Sequence, residues 1–175
     1  MLFVKIKPSI YPERIIILFE KGLFNFYNKK YNDTVNIFNS IIEYVQEPIK
    51  SRIKYLRGIS YAKLYKFEKA SLDCCELNSP KISYPFKYIH LMKGVIFDQE
   101  LECLRALHSF KNAIKYDPEV IYEEEYLLDH LSFDTIKLLN QSLILDLKGK
   151  PLPQKKRINY YQSSLFSLEY KEIPF

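Results

Sequence analysis

The residues best suited to chemistry are few, and their spacing decides whether they can form a site. His90, Cys103 and His108 fall in one stretch of the 175-residue chain, as a metal centre would require. Their separation matches no common zinc pattern, so they are read as ordinary helix residues. Cys74 and Cys75 are adjacent. Neighbouring cysteines rarely bridge each other, and cysteine also serves as a small apolar filler in helix packing. Glu123, Glu124 and Glu125 are three carboxylates in a row. At the start of a helix such a run is stabilised by the dipole and sits in solvent, which is a simpler reading than a cation site. His130 stands alone, and no HExxH, GxSxG, Walker or GxGxxG motif accompanies any of these groups. The expectation is a protein that is not an enzyme and needs no cofactor and no metal.

The remaining chemistry is electrostatic. Lys148, Lys150, Lys155, Lys156 and Arg157 precede Tyr160 and Tyr161, a combination able to contact phosphates and stack on bases. This makes an RNA- or ribonucleoprotein-associated role through the tail the alternative function. Residues 148–175 carry 6 Lys and Arg against 2 Asp and Glu, whereas residues 1–147 carry 20 against 19. The formal net charge of +5 therefore belongs to the tail, and the near-neutral remainder lacks the basic stripe that nucleic acid requires.

The elements that must position these residues are helical. Apolar residues make up 47% of the chain and aromatic residues 15%, enough for a continuous core. Ile15, Leu18, Phe19 and Leu23, and then Val35, Phe38, Ile41 and Ile42, recur at three-to-four spacing. Three of the four glycines, Gly22, Gly58 and Gly94, are 36 residues apart. At the same offsets follow Tyr31, Phe67 and Cys103, then Thr34, Ala70 and Ala106, then Phe38, Cys74 and Phe110. Pro48, Pro80 and Pro118 are expected to mark the exit of each unit's second helix.

This pattern resembles the tetratricopeptide repeat, most clearly in the third unit with Gly94, Phe97, Ala106, Phe110, Ala113 and Pro118. The middle unit departs from it with Cys74 at an aromatic position and an early Pro80, which predicts a short or bent second helix. The first unit has Thr34 and Ile41 at small positions. The pentatricopeptide family, which reads RNA, is less similar because its methionine, glycine and proline ending is missing. The resemblance implies an all-α, right-handed α-solenoid of about three hairpins plus C-terminal capping helices. The expected divisions are an N-terminal arm at 1–12, a repeat domain at 13–147 and a basic, aromatic tail at 148–175. Within the repeat domain, units fall at about 15–48, 51–80 and 87–118, with capping helices at 119–147 and Ser132 as a helix N-cap.

Tetratricopeptide arrays bind partners along a concave groove lined by the first helix of each hairpin. On that register Phe19, Leu23, Phe26, Tyr55, Ile59, Tyr88, Leu91 and Val95 are expected to line the groove. Phe19, Leu23, Leu56, Tyr88 and Met92 occupy the points where a carboxylate-holding subclass carries charged and polar groups, so that ligand is excluded. The apolar stripe implies an apolar helix or extended peptide as occupant, from another protein or from the chain's own arm or tail. The implied role is a protein–protein interaction module or a structural subunit of a larger assembly. Lys5, Lys7 and Pro8 break the N-terminal apolar stretch, and Ile15–Phe19 is too short to span a bilayer, so no membrane role is expected. Three cysteines suggest a reducing compartment, the cytoplasm, with a nuclear alternative from the QKKR segment.

Overall fold

The computed structural model describes residues 11–118, 120 and 131–143. Among them lie seven α-helices and no strand. These are α1 (Glu13–Tyr27), α2 (Tyr31–Ile41), α3 (Ile49–Lys63), α4 (Phe67–Leu77), α5 (Phe86–Gln99), α6 (Cys103–Tyr116) and α7 (Phe133–Leu143), with a 3-10 turn at Ile42–Tyr44. The described part of the chain is all-α, as the periodicity predicts. Successive helices pair as α1 with α2, α3 with α4 and α5 with α6. Further contacts join α2 to α3, α4 to α5, α3 to α5 and α6 to α7, so each hairpin rests on its neighbour.

Proline sets where α1, α3 and α5 begin. Pro12, Pro48 and Pro85 each occupy the position just before the first helical residue, where a missing N–H costs nothing. This corrects the expectation for Pro48, which opens α3; α2 has already ended at Ile41. Pro80 and Pro118 do follow the ends of α4 and α6. The fourth helix is 11 residues long, as is α2, so the replacement of an aromatic by Cys74 has not shortened it relative to the first unit.

The turns inside the three hairpins share one backbone geometry. Lys29, Tyr65 and Leu101, again 36 residues apart, have φ of 61°, 57° and 63°. The next amide in each case donates back into the preceding helix: Lys30 to the Asn25 carbonyl, Lys66 to Tyr61 and Glu102 to Phe97, all at 2.9 Å. This left-handed residue with a long return bond is how a helix end satisfies its last carbonyls before the chain reverses.

Close approach within hairpins depends on glycine. A Cβ on Gly22 would collide with the Phe38 ring, and one on Gly94 with the Phe110 ring. The middle unit solves the same problem differently. Cys74 is too small to reach Gly58, and the space is taken by the terminal methyl of Met92 from α5 of the next hairpin. One continuous core results, running from Phe19 to Leu139.

Polar groups tie neighbouring units. Arg57 of α3 donates through Nε at 2.9 Å and through a second nitrogen to the buried Asp73 carboxylate of α4, and also at 2.9 Å to Asn39 Oδ1 of α2. Desolvation raises the Asp73 carboxyl above its ordinary value, and Arg57 offsets part of that cost. At the other end of the stack, the buried Asp98 carboxylate accepts from the Ser132 backbone N–H at 3.0 Å and from its hydroxyl at 2.6 Å. The Ser132 oxygen in turn accepts from the Thr135 N–H at 3.3 Å, so Ser132 is the N-cap of α7. The predicted helix over 119–131 falls on residues of which only 120 and 131 are described, and residues 144–147 lie outside the described set.

Candidate partner-binding site

Seven of the eight residues expected to line an open groove are buried: Phe19, Phe26, Tyr55, Ile59, Tyr88, Leu91 and Val95. Leu23 is half-buried against the same core. The burial has a packing cause, because side chains of α1 pack inside the first hairpin and those of α3 and α5 pack against each other between hairpins. Phe19 lies against Phe38 with ring centroids 6.2 Å apart, Phe26 meets Tyr31 at 6.2 Å, and Tyr55 contacts Tyr84 and Tyr88 at 6.0 and 5.7 Å. The apolar stripe is real, but in this structure it is interior and not an exposed surface. Leu56 and Met92 are buried as well.

The N-terminal arm is described only at Tyr11 and Pro12, and the Tyr11 hydroxyl accepts from the Gln46 N–H at 3.1 Å. The tail, with Lys148, Lys150, Lys155, Lys156 and Arg157, lies outside the described residues, as do Glu123–Glu125 and His130.

The histidines and cysteines separate. His90 and His108 share a cleft of about 840 Å³ across α4, α5 and α6 with Cys74 and Cys75, whereas Cys103 is not part of its wall. Among the described residues no three His, Cys, Asp or Glu side chains cluster as metal ligands would. Burial pushes the Cys74 thiol up to about 11, which keeps it protonated and a poor nucleophile near neutral pH. All three cysteines are free thiols.

Three helices build that cleft. From α6 come residues one turn apart, Leu104, His108 and Asn112, with Arg105 beside them; from α5 come His90, Lys93 and Phe97. Because α5 runs against both α4 and α6, Cys74 and Cys75 of α4 line the same cleft as His90, His108 and Asn112. Glu100, Glu102 and Arg105 lie toward the other end. Arg105 pairs with Glu102 at 2.5 Å and stacks over Phe97 at 4.1 Å. Lys93 makes no ion pair among the described residues. Burial holds the His90 imidazole below its usual value, and Lys93 and His108 push it the same way. The His90 ring stacks on Tyr116 at 5.6 Å, and His108 shares a 3.0 Å contact with the Asn112 amide. Leu104, 74% exposed, forms an apolar rim.

Sequence reading missed this cleft because its wall joins three helices, and nothing in the spacing of His90 and His108 points to Cys75 on α4. No family model, curated protein or solved structure matches the chain. No helix among the described residues is long and apolar enough to cross a membrane.

Proposed function

We propose that the chain is a short right-handed α-solenoid of the tetratricopeptide type, serving as a protein–protein interaction module or as a structural subunit of a larger assembly. The observation that carries this reading is the 36-residue recurrence of the hairpin turn, with Lys29, Tyr65 and Leu101 all left-handed and the same return bond after each. Stacked repeats of this kind offer extended surface at little cost in new core, and binding is their general use. Since the apolar residues of α1, α3 and α5 are used within and between the hairpins, a partner segment seats on what stays exposed, such as the cleft over α4–α6 and its Leu104 rim.

Affinity purification of the full chain from its native host tests this. A companion present in stoichiometric amount, lost on Leu104→Asp while helical circular dichroism is unchanged, is the expected result. Ile59→Asp serves as the contrast: it introduces a charge at a buried site and is expected to unfold the chain, not to remove binding selectively. Recovery of a lone chain, or a companion indifferent to Leu104→Asp, would count against the assignment of partner and surface respectively.

A further inference from the structure

We infer that the basic end of the cleft, formed by Lys93, His90, His108 and Asn112, is a binding site for a phosphate monoester. Three observations combine. An ammonium, two imidazoles and a carboxamide line that end from α5 and α6: Lys93 and His108 act electrostatically on His90, and His108 and Asn112 are 3.0 Å apart, which leaves several N–H donors for an anion. A phosphate monoester presents three terminal oxygens and is matched by such a set. Lys93 has no carboxylate partner among the described residues, so its charge is uncompensated at a half-buried position. The volume, about 840 Å³, falls in the range of small-ligand and side-chain pockets. The inference holds whether or not the chain is a scaffold, because free phosphate suffices to probe it.

The charged and titratable groups facing this end are Cys74 and Cys75 from α4, His90 and Lys93 from α5, and His108 from α6; Glu100, Glu102 and Arg105 face the far end. Burial, and after it the charges of Lys93 and His108, lowers the His90 imidazole from its ordinary value. A bound dianion opposes that lowering and favours the protonated His90 ring. By linkage, affinity rises as pH falls toward about 6, below which the phosphate itself takes up a proton and loses charge.

The test is histidine-detected NMR on the intact chain near pH 6, at constant ionic strength with chloride as the exchanged ion. The titrants are inorganic phosphate, a phosphoserine peptide and adenosine monophosphate. Saturable movement of the His90 and His108 ring signals, assigned through His90→Gln and His108→Gln, is expected. Lys93→Gln should weaken binding roughly tenfold, the effect of losing one charge-assisted hydrogen bond. His108 is exposed, so His108→Gln provides a second variant that keeps the fold and is expected to weaken binding too. Tighter binding of the peptide than of the nucleotide identifies a phosphorylated protein segment as the source, and the reverse order identifies a nucleotide. Absence of saturable shifts with all three probes, or an unchanged affinity in both variants, overturns the site.

Discussion

Gly22 and Gly94 matter for the methyl group that they lack. The Phe38 ring facing Gly22 is fully buried and wedged against Phe19, and the Phe110 ring facing Gly94 is also buried, so neither ring can retreat. Gly58 faces chiefly the end of a methionine, which has three torsions with which to withdraw, and beyond it the Asp73 Cβ at 3.2 Å, which must give by a few tenths of an ångström. An alanine in mid-helix gains about 1 kcal/mol of propensity over glycine, against about 1–3 kcal/mol for overpacking. Gly58→Ala is therefore expected to be neutral or stabilising, while Gly22→Ala and Gly94→Ala lower stability by up to about 2 kcal/mol in urea denaturation. Equal losses at all three positions would show that the aromatic contacts do not set the difference. The sequence marked these glycines by their spacing alone. That one of them answers to a neighbour in the next hairpin needed coordinates, since Met92 is 34 residues away.

At the level of the element, the hairpin turn spends free energy on residues that are not glycine. A left-handed residue with a side chain costs about 1–2 kcal/mol, and part of this is recovered because glycine would lose more entropy on folding. Leu101 is 81% exposed, so its side chain gives little in return. Leu101→Gly should raise the unfolding free energy by about 0.5–1 kcal/mol, read from the urea midpoint at constant slope. Tyr65→Gly should gain less, because Tyr65 packs edge-on against Phe67 at 6.1 Å. A melting point lowered by Leu101→Gly would mean that the turn is held by something other than its backbone. Helix identity and the recurrence of units were legible because 3.6-residue periodicity and a 36-residue repeat are local properties of the string. The turn residues were not, since lysine, tyrosine and leucine carry no left-handed signature. The eight groove residues were legible as an apolar stripe but not their burial, because whether Tyr55 meets solvent or Tyr88 depends on how two hairpins sit together.

Across the whole molecule, ionisable groups from separate hairpins meet at Lys63. Burial pushes its ammonium down to about 8, with Asp98 favouring the charge and Lys29 opposing it. Because the folded value lies below the ordinary 10.5, the unfolded chain holds the proton more tightly. Stability should therefore rise between about pH 8 and 10.5 through this group and carry its full penalty below about 8. Lys63→Met is expected to flatten that part of the pH profile of the melting temperature relative to the parent chain; parallel profiles would exclude the assignment. The borrowed methionine has a different kind of consequence. A hairpin whose interior is completed by the following one is no interchangeable brick. Excising the third unit, or splicing the second into another array, would open a void beside Gly58 that no residue of its own can close. Duplication and shuffling, the usual route by which repeat arrays lengthen, are therefore blocked at this joint unless a long, pliable side chain arrives with the new neighbour.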